Sequence, residues 1–376
     1  MNKKELLVRC FQPLSWLNRI IPKRKEQIFF YSNLRFSDNA RALYEYMVEQ
    51  GYHRRYRIVL SLNTYDEYKD NAPKGVKVVG NKLGILYFLR SKYAFYSFGK
   101  YPIYPGKGQC VVNLWHGMPL KKIGNLEAGC EKVNYNYFSY VLATSKLFAG
   151  IMPKVFGCTE DQVMCLGQPR CDWLFKKGSN LRKICHGAKK MIVWLPTFRD
   201  LGDDYEQKGM FLEMLENGGM ERLNDYVKAL DAFILIKIHP LQKITKPYEY
   251  TYSNIVILRE EEVKDISLYE ILSVSDALIT DYSSVYFDYL LVDRPIGFTV
   301  DDQKMYEKIR GYIFENPSIY MPGQQIHNMI ELKNFIRNAS QGPDLYRSQR
   351  HKINDLVNEF KDGDFCKQVL TAFHIT

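Results

Sequence analysis

Short apolar runs alternate with helical patterns along this chain from about residue 26 onward. In the first half, runs of strand length lie at 28–31, 58–62, 76–79, 94–98, 111–115, 141–143 and 163–166, and helical patterns such as 39–50 and 146–156 lie between them. Parallel strands need long crossover connections, which are usually helices, and they are buried on both faces. The alternation therefore predicts an α/β fold built on a parallel sheet.

A polar stretch near residues 176–190 interrupts the alternation, and a second series of strand-like runs follows at 191–195, 233–238, 255–258, 277–279 and 295–298. Helical patterns cover 222–230, 268–274, 284–291 and the region from about 330. A chain of 376 residues with 46% hydrophobic content has the length for two buried cores. We predict two doubly wound, Rossmann-like domains facing a cleft, at 26–180 and 181–376, the second ending in helices.

A block of polar residues stands at the end of the apolar run 110–115. It begins with His116 and Gly117 and continues to Lys121 and Lys122. Open α/β sheets bind ligands at the carboxyl ends of their strands. A histidine exchanges protons near neutral pH, a glycine allows close approach of the backbone, and lysines suit an anionic substrate. The block is a candidate site, and a core histidine beside two solvated lysines is the alternative.

Polar residues also follow two strand-like runs of the second half. The run 233–238 ends in His239, and the proline behind it places this histidine at a strand terminus. The run 277–279 leads to Ser283 and Ser284, which begin an apolar helix. The first N–H groups of a helix, together with its dipole, form a site for phosphate. Plain N-capping by a serine is the alternative interpretation.

Two further turns carry an arginine just beyond a strand-like run. They are Gly167-Gln168-Pro169-Arg170-Cys171-Asp172 and Leu195-Pro196-Thr197-Phe198-Arg199-Asp200. A guanidinium can bind a phosphate through two parallel hydrogen bonds. The alternative is a structural ion pair of each arginine with its neighbouring aspartate, Asp172 or Asp200.

These motifs resemble the family of CDP-glycerol glycerophosphotransferases, the primases and polymerases of teichoic acid and related capsule polymers. The matching motifs are Trp115-His116-Gly117 through Lys121-Lys122-Ile123-Gly124, the turn Gly167 to Asp172, Pro196-Thr197-Phe198-Arg199-Asp200, His239-Pro240, and Thr280-Asp281-Tyr282-Ser283-Ser284 with Phe287-Asp288. Similarity begins near Ser37-Asp38-Asn39 and extends through Arg310-Gly311-Tyr312. The chain departs from the family at Cys171, where many relatives have asparagine, and at Phe198, where tryptophan is common.

The resemblance implies a GT-B-like fold, a CDP-glycerol or related CDP-polyol donor, and essential histidines at His116 and His239. In the mechanism that we expect, an acceptor hydroxyl attacks the phosphorus nearest glycerol and CMP leaves. His116 is the candidate base, and His239 supports the transferring phosphate or the leaving CMP, although the two roles could be exchanged. The residues expected to bind the donor and its phosphates are Gly117, Lys121, Arg170, Thr197, Arg199, Thr280, Asp281, Ser283, Ser284 and Asp288.

This mechanism requires neither a metal nor another cofactor, because phosphoryl transfer depends mainly on positioning and charge neutralisation. The only tight acidic pair of D-x-D form, Asp362 and Asp364, lies near the carboxyl terminus and away from any strand-like run. The 8 cysteines are scattered without C-x-x-C pairs, and we expect reduced thiols.

The chain carries a net charge of +10, which favours anionic partners. In residues 1–25, apolar residues at helical spacing are surrounded by Lys3, Lys4, Arg9, Arg19, Lys23, Arg24 and Lys25. The apolar runs are too short to span a bilayer. We expect this segment to lie on an anionic membrane surface, to dock on the first domain, or both. The family resemblance implies peripheral attachment at the cytoplasmic face of the membrane, where the lipid-linked glycan or polymer acceptor lies. Basic residues form no continuous stripe, so we predict no nucleic-acid partner.

Two other functions fit the same sequence. The first is transfer of ribitol phosphate or another nucleotide-activated group by the same fold. The second is non-catalytic binding of an anionic polymer. The blocks around His116 and Ser283 favour glycerol phosphate transfer, and the compact length favours a primase or a single-linkage transferase.

Overall fold

The structure, a computed structural model, describes residues 3–176, 185, 187–196, 218–237, 252–258 and 266–376. Its strands are β1 Arg24–Ser32, β2 Arg57–Leu62, β3 Val76–Gly80, β4 Ser91–Tyr96, β5 Cys110–Asn113, β6 Tyr140–Ala143, β7 Val163–Cys165, β8 Lys190–Trp194, β9 Ala232–Lys237, β10 Ile255–Leu258, β11 Ala277–Thr280, β12 Ile296–Thr299 and β13 Gln324–Ile326. Every predicted strand-like run overlaps one of these strands.

The helices are α1 Lys3–Ile20, α2 Asp38–Glu49, α3 Tyr65–Tyr68, α4 Asn81–Arg90, α5 Lys146–Ala149, α6 Met152–Phe156, α7 Asp172–Phe175, α8 Gly219–Ala229, α9 Leu268–Val274, α10 Val285–Tyr289, α11 Gln303–Ile309, α12 Met329–Gln341, α13 Arg347–Val357 and α14 Phe365–Ala372. The predicted helix 146–156 is divided into α5 and α6. Pro153 lies in the first turn of α6, where a missing N–H is tolerated.

The strands form two parallel sheets. One has seven strands in the order β3-β2-β1-β4-β5-β6-β7, and the other has six in the order β10-β9-β8-β11-β12-β13. All neighbouring strands in both sheets are parallel. The strand order reverses between β1 and β4 in the first sheet and between β8 and β11 in the second. The predicted doubly wound α/β fold is confirmed, and each reversal is the point where such sheets bind ligands.

The chain folds into two compact units. Unit 1 comprises Met1–Met118, Gly124–Asp172 and Glu359–Thr376, and unit 2 comprises Pro119–Ile123 and Trp173–Asn358. The chain passes from unit 1 to unit 2 after Asp172, eight residues before the boundary at residue 180 that we predict from the polar stretch. In addition, Pro119–Ile123 belongs to unit 2 and Glu359–Thr376 belongs to unit 1, unlike in the predicted division.

The carboxyl-terminal helix α14 belongs to unit 1 because the Gly167–Asp172 turn binds its first turn. The N–H groups of Phe365 and Cys366 donate to the carboxylate of Asp172 at 2.7 and 2.9 Å. Gly167 has a φ of 79°, and a Cβ atom there would lie 2.5 Å from the Phe365 ring. Burial raises the pKa of Asp172 to about 6, although these N–H groups act in the opposite direction. The aspartate that we considered as a partner for Arg170 is thus a helix cap.

The segment Pro119–Ile123 belongs to unit 2 because it pairs with the chain after α11. Lys121 and Tyr312 form an antiparallel bridge. The Lys122 N–H donates to the Gly311 carbonyl at 3.1 Å, and the Ile313 N–H donates to the Leu120 carbonyl at 2.9 Å. The backbone of Lys121 is therefore a part of unit 2.

Helix α1 docks on unit 1, as one of the two alternatives for the amino-terminal segment predicts. Asn18 is 0% exposed and donates to the Tyr104 carbonyl and to the Gln109 side chain, both at 2.8 Å. The outer face of the same helix keeps Trp16 67% and Ile20 62% exposed. Docking and an exposed apolar face therefore occur together on one helix.

Candidate active site

The turn that follows β5 carries His116 in unit 1. After Asn113 ends the strand, Trp115 adopts a φ of 58°, which is an outlier for a bulky aromatic residue. The Trp115 N–H donates to the Asn113 side chain at 3.0 Å. Gly117 follows with a φ of 126°, a conformation that favours glycine. This sharp turn places His116 at the carboxyl edge of the sheet, as the sequence predicts.

The half-buried ring of His116 lies between aromatic rings. It stacks on Phe98, which follows β4, with ring centroids 4.8 Å apart and an interplanar angle of 14°. The Trp115 ring lies 3.8 Å from the His116 ring and packs edge-on against Phe156. These contacts restrict rotation of the imidazole, so the ring is held in one direction before any ligand binds. The sequence did not point to Phe98.

Arg170 lies behind the His116 turn, and it is 4% exposed. Its guanidinium forms an ion pair with Asp38 at 2.6 Å and donates to the His116 carbonyl at 2.8 Å. The geometry favours the structural alternative for this arginine, with Asp38 in place of the expected Asp172. Direct binding of phosphate by Arg170 has little support, since the side chain is buried and engaged.

Asn39, in the first turn of α2, also binds the turn from behind. Its amide nitrogen donates to the Trp115 carbonyl at 2.8 Å and to the Gln168 side chain at 2.7 Å, and its oxygen accepts from the Arg170 N–H at 3.0 Å. In the sequence, Asp38 and Asn39 stand out only as the start of the family similarity. That similarity was the single signal for a role of these two residues.

The predicted phosphate residues of unit 2 follow β11, at the reversal of the strand order. Thr280 ends this strand, and its hydroxyl donates to the Leu195 carbonyl at 3.3 Å. Asp281, the next residue, is also buried. Ser283 and Ser284 then lie half-buried at the start of α10. The structure therefore brings these residues together at the ligand-binding edge of the second sheet.

The structure does not support the alternative interpretation of Ser284 as the N-cap of α10. An N-cap residue normally has extended backbone, whereas Ser284 has a helical φ of −66° and ψ of −11°, and its side chain makes no capping hydrogen bond. The Ser283 hydroxyl accepts a long hydrogen bond from the Val285 N–H at 3.5 Å. Within the described residues, the Ser284 hydroxyl makes no capping hydrogen bond to the N–H groups of α10. This weakens the capping interpretation and favours a role in ligand binding.

Three tyrosines fix the turn between β11 and α10. The buried Tyr282 ring stacks on Tyr306 with centroids 4.2 Å apart and contacts Tyr312 at 5.7 Å. The Tyr282 hydroxyl donates to Asp302 at 2.9 Å. Tyr312 is also the bridge partner of Lys121, so the backbone of Lys121 lies beside this cluster. The packing partners Tyr306 and Tyr312 were not recognised from the sequence.

Asp288, which we expected near the donor, is fully buried on α10. The hydroxyl of Tyr269 in α9 donates to its carboxylate at 2.5 Å. This placement favours a structural role in joining two helices of unit 2 over contact with a ligand. The sequence could not distinguish the two, because Asp288 lies only four residues beyond the serines.

The remaining predicted site residues, Thr197, Arg199 and His239, lie outside the described residues. Among the residues that the structure does describe, no three His, Cys, Asp or Glu side chains are placed to share a metal ion. In the same part of the chain, no helix combines the length and apolar character needed to cross a bilayer.

Two doubly wound units with a histidine turn in one and a serine turn in the other define a GT-B-like α/β protein. A sequence profile of the family CDP-Glycerol:Poly(glycerophosphate) glycerophosphotransferase matches residues 14–374. The chain therefore belongs to this family, and it is an enzyme of the glycerophosphotransferase class. The family predicted from the motifs is confirmed.

Individual proteins with similar sequences or folds are named as teichoic acid enzymes. The chain is 27% identical over 383 residues to the teichoic acid glycerol-phosphate transferase of Staphylococcus aureus, covering 92% of each protein. It is 27% identical over 348 residues to the teichoic acid poly(glycerol phosphate) polymerase of Bacillus spizizenii, covering 84% of each. The fold is similar to that of the wall teichoic acid polymerase TagF, in a histidine variant soaked with CDPG, with a TM-score of 0.76 and 21% identity over 99% of this chain and 96% of that one.

Proposed function

We propose that this enzyme transfers glycerol phosphate from CDP-glycerol to a hydroxyl group of a lipid-linked or polymer acceptor, in the synthesis of teichoic acid or a capsule polymer. The observation that carries the proposal is the His116 turn. A titratable ring stacked on Phe98 stands at the carboxyl edge of a parallel sheet, in a chain of the glycerophosphotransferase family. A ring held in one direction suits a general base.

In the proposed reaction the acceptor oxygen forms a bond to the phosphorus that carries glycerol. The bond from this phosphorus to the oxygen that bridges it to CMP breaks, and CMP leaves with the electron pair. His116 takes the proton of the attacking hydroxyl. His239 is assigned to the charge on the transferring phosphate or the leaving CMP. Such a reaction gains most from fixed positions and fixed charges.

The donor diphosphate is assigned to the β11 edge of unit 2. The hydroxyls of Ser283 and Ser284 lie half-buried at the reversal of the strand order, and the Ser284 hydroxyl makes no capping hydrogen bond. The backbone of Lys121 pairs with that of Tyr312 in the same aromatic cluster, and the Lys121 side chain carries a positive charge. Hydroxyls and an ammonium group are a suitable set for a diphosphate, since each donates hydrogen bonds to anionic oxygens.

The experiment that tests this function compares donors with the purified full-length enzyme and a synthetic lipid-linked disaccharide. We expect CMP release and a product heavier by one glycerol phosphate from CDP-glycerol, and little turnover of UDP-sugars. CDP-ribitol distinguishes the nearest alternative, and preferred use of it would replace glycerol with ribitol in the proposal. Retained polymer binding without CMP release from any donor would instead favour a non-catalytic binding protein.

The outer face of α1 is assigned to the cytoplasmic surface of the membrane, where the acceptor would lie. Trp16 and Ile20 are exposed and have basic neighbours such as Arg19 and Arg24. Exposed aromatic and aliphatic side chains insert shallowly, while basic residues attract anionic lipid. Lys23 does not belong to this set, because its ammonium group donates to Asn18 and to the Leu89 carbonyl.

Point variants test the membrane face better than a deletion of α1, because the deletion would expose the groups that Asn18 covers. Replacing Trp16 and Ile20 together by glutamine should reduce sedimentation with anionic vesicles without lowering the melting temperature. The matched control replaces Ile330 and Leu345, which lie on unit 2 and are 74% and 71% exposed, and it should leave sedimentation unchanged. Equal losses of sedimentation from the two pairs would show nonspecific adsorption through exposed apolar residues instead of a defined membrane face.

A further inference from the structure

Two residues around the His116 turn have backbone conformations that non-glycine residues rarely adopt. Trp115 has a φ of 58°, and Asp38, at the start of α2, has a φ of 62°. For a tryptophan in particular, such a conformation persists only where the surrounding contacts enforce it, and strained residues of this kind concentrate at functional sites. The question is what enforces this turn, and for what use.

Two consecutive carbonyl groups of the turn are held by side chains from distant parts of unit 1. Asn39 donates to the carbonyl of Trp115, and Arg170 donates to the carbonyl of His116, both at 2.8 Å. Asn39 and Arg170 also bind each other, through the Arg170 N–H. Because both carbonyl directions are fixed, the backbone on either side of the His116 Cα is fixed, and so is the direction in which its side chain leaves.

Burial makes this arrangement demanding. Asn39 is 0% exposed and Arg170 is 4% exposed, so both side chains depend on hydrogen-bond partners inside the protein. Asp38 supplies the carboxylate for the guanidinium, and Gln168 accepts from the Asn39 amide. A turn that only had to close the chain could be packed with apolar residues instead. Buried polar networks fix a single geometry, because any displaced group would remain unsatisfied.

We propose that Asp38, Asn39 and Arg170 form a positioning clamp for His116. The clamp holds the backbone of the turn so that the imidazole points at the acceptor hydroxyl, and its residues are positioning residues because they act through the backbone. This inference rests on the proposed role of His116 as the general base. It also explains the Ser37-Asp38-Asn39 motif, which has no role in the proposed binding of the donor and its phosphates.

The first test is Asn39→Ala, measured as CMP release with a water-soluble acceptor analogue. We expect kcat to fall ~10–100-fold, as for small misplacement of a reacting group, with the donor KM changed less than ~3-fold. The matched control is Asn18→Ala, since Asn18 is also 0% exposed and also donates to a backbone carbonyl of unit 1. It should lower the melting temperature similarly and keep kcat. Equal kcat values in the two variants would overturn the clamp.

The second test is a double-mutant cycle, because a residue that only stabilises the fold would not respond to it. If Asn39 acts through His116, then Asn39→Ala should change the residual rate of the His116→Ala enzyme by less than ~2-fold. Independent multiplication of the two losses would argue against the clamp. Full turnover by His116→Ala alone would instead remove the proposed base, and the clamp with it.

Arg170→Lys provides a milder variant if Asn39→Ala does not fold. A lysine keeps the charge opposite Asp38, but its shorter side chain does not bring a donor to the position of Arg170 Nη1, which donates both to Asp38 and to the His116 carbonyl. We expect a ~3–10-fold loss of kcat. The matched control is Arg350→Lys, since Arg350 is 1% exposed and pairs with Asp293 in unit 2. Equal kcat values for Arg170→Lys and Arg350→Lys would contradict the proposal, even if the two variants differed in stability.

Discussion

The two turns that carry the candidate site are held in different ways. In unit 1, the turn after β5 is held from behind by directional hydrogen bonds, from Asn39 to one carbonyl and from Arg170 to the next. In unit 2, the turn after β11 is held by ring packing, with the Tyr282 and Tyr306 centroids 4.2 Å apart. Hydrogen bonds fix the direction of a group, whereas packing fixes its position with less control over direction.

This difference agrees with the two proposed tasks. A general base must point at one proton, so its backbone needs directional support. A phosphate site made of hydroxyls and N–H groups tolerates small rotations, because a diphosphate offers several acceptor oxygens. Unit 1 therefore carries strained backbone at Trp115, whereas Ser284 has ordinary helical backbone. The predictions below test this contrast.

The largest effect is expected for His116→Ala. Loss of a general base lowers turnover by ~10²–10⁴-fold. The ring is half-buried, so the melting curve should change little. His351→Ala is the matched control, since this exposed histidine binds Asp293 in unit 2 and should keep full CMP release. Near-normal CMP release from His116→Ala would return this histidine to a structural role. The directional support of its turn would then have no catalytic explanation.

A second prediction tests the packing of unit 2. Tyr282→Ala removes a buried ring and should lower the free energy of unfolding by ~3 kcal/mol or more, as for other large core deletions. Tyr282→Phe keeps the ring and removes the hydroxyl that donates to Asp302, and it should cost about 1 kcal/mol. Urea unfolding of both variants gives the comparison. Equal losses would mean that a hydrogen bond, rather than ring packing, holds this turn.

A third prediction concerns Lys100, a cation of unit 1 that packs on rings. Its ammonium group lies 4.9 Å from the Tyr135 ring centroid and 5.6 Å from that of Tyr137. Burial lowers the pKa of Lys100 from 10.5 to about 8. The pKa is lower in the folded than in the unfolded state, so its contribution to stability is present above pH 10.5 and is lost as the pH falls through 8.

The measurement for Lys100 compares unfolding free energies of the wild type and Lys100→Met at pH 7 and pH 10. The wild type should gain about 2–3 kcal/mol relative to the variant at the higher pH. The pKa of the neighbouring Tyr135 is raised to about 12, so this tyrosine stays neutral in that range. A difference that does not depend on pH would show that Lys100 is hydrated rather than held among the rings.

The sheets could be predicted from sequence because their causes are local. Each predicted strand is a short apolar run, and the range 268–274 of one predicted helix equals that of Leu268–Val274 in the structure. His116 was placed at a strand end by the same pattern. The strand Gln324–Ile326 was missed because it is short and polar. Periodicity has nothing to detect in three residues of this kind.

The parts that could not be predicted have distant causes. Asn39 binds Trp115 and Gln168, which are 76 and 129 residues further along the chain. Asp172 could be expected to pair with its neighbour Arg170, but it caps a helix 193 residues away. No local pattern records such partners. Ser284 is a different case, since a serine before an apolar helix usually caps it, and only the backbone angles and the absence of a capping hydrogen bond argue against a cap here.

The smallest effect is expected for Ser284→Ala, and it decides between the two interpretations of this serine. A capping serine would contribute about 1 kcal/mol to stability and nothing to donor binding. Because the Ser284 side chain makes no capping hydrogen bond, we expect an unchanged melting temperature and a donor affinity weakened ~5–10-fold, the value of one hydrogen bond that contributes about 1 kcal/mol. Calorimetric titration of CDP-glycerol measures the affinity, and Ser273→Ala is the control, since the Ser273 hydroxyl donates to the Glu270 carbonyl inside α9. A lower melting temperature with unchanged affinity would restore the capping role and move the donor diphosphate away from this turn.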